Sequence, residues 1–119
     1  MYSAQLLDHF QNPRNAGEIA DADVTTEVEN PACGDVLRLT MKASGGRITQ
    51  AQFKVKGCVA AIACGSALTE LIVGKRLNEA QNLRREDVSA VLGGLPQAST
   101  HAAQLAIDAL SVALVRLTP

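Results

Sequence analysis

The chain is predicted to adopt an α+β fold, a three-stranded antiparallel sheet with helices packed on one face. Two neighbouring segments, Asp35–Ala43 and Ile48–Val55, alternate apolar and polar residues on either side of the loop Ser44-Gly45-Gly46-Arg47. Such alternation across a glycine-bearing turn is the mark of a hairpin. The long apolar helical patterns all come after these strands, so strands and helices are grouped rather than interleaved. With 119 residues, the chain has room for one domain, 1–119.

The elements follow in order. Tyr2–Phe10 reads as a short helix with Ser3 as N-cap, its apolar face made by Leu6, Leu7 and Phe10, and Pro13 ends the run. Asn12-Pro13-Arg14-Asn15-Ala16-Gly17 is rich in turn formers. Residues 18–30 are acidic and weakly patterned, with one strand candidate at Val24–Val28. In Asp35–Ala43, Leu37, Leu39 and Met41 share one face, with Arg38, Thr40 and Lys42 opposite. In Ile48–Val55, Ala51, Phe53 and Val55 share a face, with Gln50, Gln52 and Lys54 opposite. The sheet is therefore expected to be polar on one side. Gly57 breaks the last strand, and Val59–Val73 reads as a nearly all-apolar helix ended by Gly74. Leu77–Leu83, with Asn78 as a candidate cap, and Arg85–Leu92 suggest two short helices. A final helix is expected over about 101–117, with a polar stripe of Gln104, Asp108 and Ser111.

Composition narrows the function. Hydrophobic residues make up 47% of the chain and charged ones 19%, as in a globular protein rather than a disordered one. Aromatics are 3%, which removes a base-stacking surface for single-stranded nucleic acid. A net charge of −1 gives no electrostatic footprint for nucleic acid or an anionic membrane. No run of apolar residues long enough to span a bilayer is free of charge; the longest, Val59–Val73, contains Glu70. Three cysteines, an odd number without a secretory leader ahead of them, suggest a cytoplasmic protein whose thiols serve chemistry or metal.

Four positions carry that chemistry. In Pro31-Ala32-Cys33-Gly34-Asp35, Gly34 lets the chain turn so that a thiol and a carboxylate converge; the plainer reading is a cysteine in a turn before a strand. Cys58 falls at the start of a helix, where free N–H groups favour the thiolate; the alternative is a small buried hydrophobe. His101 begins the last helix, where the dipole favours the neutral, metal-binding imidazole. His9, beside Asp8, Gln11 and Asn12, is expected to make local hydrogen bonds. Cys64 lies six residues beyond Cys58, roughly 240° away around a helix, and reads as a core residue. Cys33, Asp35, Cys58 and His101 together offer two sulfurs, an oxygen and a nitrogen, a set of tetrahedral size. Mixed hard and soft donors suit a metal or cluster that is released again better than a permanent structural zinc.

These residues resemble a family. Tyr2-Ser3, Asp8-His9, Asn12-Pro13-Arg14-Asn15, Pro31-Ala32-Cys33-Gly34-Asp35, Lys56-Gly57-Cys58 with Ala61-Ile62-Ala63, Gly74-Lys75, Glu79-Ala80 and Leu95-Pro96 leading to His101 are similar, in order and spacing, to the IscU/NifU N-terminal type of iron–sulfur cluster assembly scaffold. The resemblance covers essentially the whole chain and implies an IscU/SufE-like sandwich. It implies a non-enzymatic scaffold that takes sulfur from a cysteine desulfurase, binds iron or a [2Fe-2S] cluster, and passes it to recipient apoproteins. Zinc would be an alternative occupant in the isolated protein. The implied metal ligands are Cys33, Asp35, Cys58 and His101, with Cys64 as an additional candidate, and Cys58 or Cys33 as the persulfide carrier. The third cysteine that the resemblance leads one to expect after His101 is replaced by Ala102. The segment that would engage an Hsp70-type chaperone reads Leu95-Pro96-Gln97-Ala98-Ser99, which weakens the expectation of that partner. Two other readings stand beside the scaffold: a sulfur acceptor or adaptor for a desulfurase, and a zinc-binding regulatory relative. Monomer and homodimer both remain open.

Overall fold

A computed structural model describes residues 1–118. Helix α1 (Ala4–Gln11) is followed by strands β1 (Val24–Glu29), β2 (Val36–Ser44) and β3 (Arg47–Lys56). Then come α2 (Val59–Ile72), α3 (Leu77–Ala80), α4 (Arg85–Val91), a short 3-10 turn at Gln97–Ser99, and α5 (Thr100–Leu117). The strands form one antiparallel sheet in the order β1-β2-β3. α2 lies over β3 and α5 over β1 and β2, while α1 and α4 pack against α2 and α5 respectively. The expected α+β sandwich is the observed one.

The core face follows from strand periodicity. Leu37, Leu39 and Met41 of β2 are fully buried opposite Val55, Phe53 and Ala51 of β3. The pairing slips once, between Lys42↔Gln50 and Ala43↔Ile48, and leaves Thr49 as an extra residue. That bulge turns Ile48 onto the same side as Ala51, and both are buried. On β1, Thr26 faces this core and donates its hydroxyl to the Ala109 carbonyl at 3.2 Å, so its polar group is satisfied.

The free edge of β3 is covered at both ends. Gly17 N–H donates to Phe53 O at 2.8 Å and Phe53 N–H to Asn15 O at 3.0 Å. At the other end, Ile48 N–H donates to Lys75 O at 2.9 Å and Gly74 N–H to Ile48 O at 2.8 Å. An edge so occupied cannot template pairing with another chain.

The polar face of the sheet is as expected, though Ile19 N–H donates to Thr40 Oγ1 at 3.1 Å and Thr40 is buried there. Other expectations need correction. α3 ends at Ala80 instead of running to Leu83, and Asn78 does not cap it. Its start is closed by Glu79, whose carboxylate accepts from Arg76 N–H at 2.9 Å. By contrast Ser3 caps α1 as expected, accepting from Leu6 N–H at 3.0 Å while its hydroxyl donates to the Leu92 carbonyl. α5 with its preceding turn is long and apolar enough, by length and composition, to cross a bilayer. Its packing against β1, β2, α2 and α4 accounts for that apolarity.

Candidate metal and sulfur site

The site forms where the β1–β2 connection, the β3–α2 junction and the start of α5 meet. Asn30 organises the first of these. Its side-chain oxygen accepts from Ala32 N–H at 2.9 Å, its carbonyl from Gly34 N–H at 2.7 Å, and its own N–H donates to Asp35 O at 2.8 Å. Gly34 occupies the left-handed region at φ +77°, a conformation that a side chain would resist. The chain thereby turns between Cys33, which is exposed, and Asp35, which is 93% buried by its 7% exposure.

Cys58 is the N-cap of α2, in extended conformation, and its Sγ accepts from Ala61 N–H at 3.4 Å. Its thiol in turn donates to Asp35 Oδ2 at 3.2 Å. The helix start was expected to favour thiolate. The net direction is the opposite: burial pushes the Cys58 thiol above its ordinary value, the adjacent Asp35 carboxylate adds to that, and the Ala61 N–H only partly compensates. Burial of the sulfur, seconded by the carboxylate, outweighs the helix-start donor.

His101, half-buried in the first turn of α5, completes the arrangement. One donor atom each from Cys33, Asp35 and His101 lies within 4.8 Å of the other two. Donors around a tetrahedral metal at about 2.0–2.3 Å stand roughly 3.3–3.8 Å apart, so small side-chain rotations would close these three on an ion. Cys58 sits outside this mutual triad but touches it through Asp35. The donor set, thiols with one carboxylate and one imidazole, suits iron, an iron–sulfur cluster or zinc. His101 also walls an open groove of about 390 Å³, with Arg85, Glu29 and Asp108 at its sides, which leaves the triad approachable from solvent.

Cys64 does not join them. It is fully buried within α2, and burial, with a smaller contribution from Cys58, pushes its thiol up to about 12. Ala102, the residue after His101, is likewise fully buried and offers no donor atom.

His9 departs from expectation differently. It is buried, and instead of bonding locally its Nδ1 pairs with Ser66 Oγ at 2.8 Å, while Nε2 stands 3.7 Å from Glu70. Ser66 also accepts from Arg14 N–H at 2.8 Å, and Thr69 donates to Arg14 O at 3.1 Å. Ser66 and Thr69 were missed in the sequence. The available signal was two hydroxyl residues three apart on a helix whose one charged residue is Glu70, which need partners if buried.

Comparison with known proteins places the chain. The model of the NifU-like N terminal domain matches residues 1–118. The chain is 47% identical over 115 residues to the iron–sulfur cluster assembly scaffold protein IscU 1 of Archaeoglobus fulgidus, covering 97% of this chain and 75% of that one. It is 41% identical over 117 residues to the iron–sulfur cluster assembly scaffold protein IscU of Escherichia coli, covering 95% and 91%. Among solved structures, a nitrogen-fixing NifU-like protein (N-terminal) from Brucella abortus superimposes with TM-score 0.80 at 19% identity, over 97% of this chain and 92% of that one. A putative iron–sulfur cluster assembly scaffold protein from Fervidobacterium islandicum gives 0.79 at 22%, over 95% and 96%. At these identities the two structures speak for the fold.

Proposed function

The chain belongs to the NifU-like N-terminal domain family, and from that membership we propose that it is an iron–sulfur cluster assembly scaffold. It would act as one domain over 1–119, in the cytoplasm, as a carrier and not an enzyme. The names of its relatives support this reading. The observation that carries it is the convergence of Cys33, Asp35 and His101 within 4.8 Å, with the Cys58 thiol 3.2 Å from Asp35.

In this reading iron or a [2Fe-2S] cluster is cargo. Cys33, Asp35 and His101 grip iron first, and Asp35, shared with Cys58, links the grip to the sulfur-accepting side. Cys58, held as a thiol at rest, first gives up its proton to solvent, and the thiolate then attacks the outer sulfur of a persulfidic cysteine on a desulfurase. The S–S bond there breaks, a new one forms on Cys58, and the desulfurase cysteine leaves as thiolate. The carboxylate ligand binds more weakly to soft metal centres than a third thiolate would, which suits delivery to recipient apoproteins. Ala102, where the resemblance leads one to expect a cysteine, leaves Cys58 and Cys33 as the sulfur carriers. The altered segment Leu95-Pro96-Gln97-Ala98-Ser99 argues for release without an Hsp70-type chaperone.

A second reading, sulfur acceptor without cluster assembly, is favoured by the position of Cys58 outside the mutual triad. Mass spectrometry after incubation with a desulfurase and cysteine, with and without ferrous iron, separates the two. A scaffold gains sulfur on Cys58 and, when ferrous iron is supplied with a thiol reductant that takes the persulfide sulfur to sulfide, retains iron and sulfide. A bare acceptor gains the same one-sulfur adduct but retains no iron.

A further inference from the structure

We propose that Gly57 is a positioning residue for Asp35: its missing side chain is what allows the Asp35 carboxylate to meet Cys58 on one side and Cys33 and His101 on the other. The functional part of this inference rests on the scaffold reading above; the geometric part does not.

The β2–β3 register ends with Val36↔Lys56, and one further step sets Asp35 directly opposite Gly57. Opposed residues of an antiparallel pair ordinarily keep their Cβ atoms about 4.5–5.5 Å apart. Here the Asp35 side chain instead lies across Gly57. A Cβ at position 57 would fall 2.5 Å from Asp35 Oδ1, 2.6 Å from its Cγ and 2.9 Å from its Cβ. Non-bonded carbon atoms prefer about 3.5–4.0 Å, so this overlap is of the order of an ångström. Rotating Asp35 about χ1 would move Oδ1 and Cγ but not its own Cβ, so the strands themselves would have to part.

The two glycines beside the site serve different needs. Gly34 has a positive φ and nothing within 4 Å of where its Cβ would be, so it is required for backbone conformation. Gly57 has no positive φ, and alanine could adopt its backbone; what it supplies is space. That space is filled by the residue that bridges the donors. Asp35 is held from both sides, with Oδ1 against Gly57 and Oδ2 receiving the Cys58 thiol. Displacing it by an ångström opens the contact to Cys58 and spreads the triad beyond the tolerance of a preorganised site, about 0.5 Å.

The test compares the full chain with Gly57→Ala, Asp35→Gly and the double variant. In the metal-free proteins, nuclear Overhauser contacts between the Asp35 and Cys58 side chains are expected in the parent and lost in Gly57→Ala. Cobalt(II) affinity, read from the thiolate-to-cobalt absorption, is expected to fall roughly 10–100-fold in Gly57→Ala, the range for residues that orient a ligand. In the Asp35→Gly background the same alanine has room and is expected to change affinity no further. Retained Asp35–Cys58 contacts in Gly57→Ala would overturn the proposal, as would an equal loss of affinity in both backgrounds. Should Gly57→Ala fail to fold, recovery of the fold in the double variant supports it and failure to recover overturns it. A parent protein that binds no cobalt removes the scaffold reading, and the contacts between Asp35 and Cys58 still decide the role of Gly57.

Discussion

Nδ1 of His9 on α1 stands 2.8 Å from Oγ of Ser66 on α2, a pairing across 57 positions of sequence that joins the N-terminal helix to the central one. The same hydroxyl accepts from Arg14 N–H at 2.8 Å, so one small side chain satisfies two groups from the N-terminal segment. Ser66→Ala would leave both without this partner inside the fold. An unsatisfied buried group costs about 1–3 kcal/mol, and a loss of roughly 2 kcal/mol or more is expected. Urea unfolding checks it: the midpoint should fall while the slope stays unchanged.

His9 also gives stability a pH dependence. Burial holds its pKa below the ordinary 6.5; Arg14 adds to the effect, while Glu70 and Asp8 oppose it. The unfolded chain takes up this proton near 6.5, whereas the folded one does so only at lower pH. Between those two values the unfolded state binds more protons, so stability rises with pH there. Urea midpoints are expected to be insensitive to this group above about pH 7 and to decline from about 6.5 downward through the lowered folded value. His9→Gln should remove that part of the decline.

Thiol counting separates Cys64 from the other two cysteines. Cys33 and Cys58 are exposed, while Cys64 is fully buried with its pKa pushed up to about 12. An aromatic disulfide reagent is expected to titrate two thiols in the native metal-free protein and the third only in denaturant. Cys64→Ala is expected to cost about 1–2 kcal/mol as a small core deletion and to leave iron loading unchanged. Reduced loading with an intact fold would bring Cys64 back as a ligand.

Gly65 marks a close approach of another kind. A Cβ there would fall 2.5 Å from Cδ2 of Phe53, whose ring is buried between α2 and β3. Alanine favours the helix by about 1 kcal/mol over glycine, but overpacking a filled core costs about 1–3 kcal/mol. With a rigid ring as the obstacle the second effect wins, and Gly65→Ala is expected to lower the thermal midpoint.

What the sequence makes legible divides along the range of the interactions. β2, β3 and the capped start of α1 follow from local patterning and chemistry, and they appear where expected. The convergence of Cys33 with Asp35 through Gly34 is local as well. His9 is misread because its partner is Ser66, far along the chain, and nothing near His9 announces it. Cys58 illustrates a different limit. Its helix-start position is visible in sequence, but the sign is set by burial, and the Asp35 carboxylate that adds to it comes from the neighbouring strand's start, 23 positions earlier. That Thr40 on the polar face is covered is not legible, because the segment that reaches it has no pattern of its own.

The proposed scaffold holds iron and sulfide as cargo on Cys33, Asp35, Cys58 and His101. It is tested by anaerobic reconstitution with ferrous iron, cysteine, a desulfurase and a thiol reductant, followed by chemical analysis of iron and acid-labile sulfide on the re-isolated chain. Iron and sulfide are expected in equal amounts with visible charge-transfer absorption, both lost in Cys33→Ser and Cys58→Ser while Cys64→Ala keeps them. Zinc held at one ion per chain and not displaced under these conditions, or a chain that returns with neither iron nor sulfide, would contradict it.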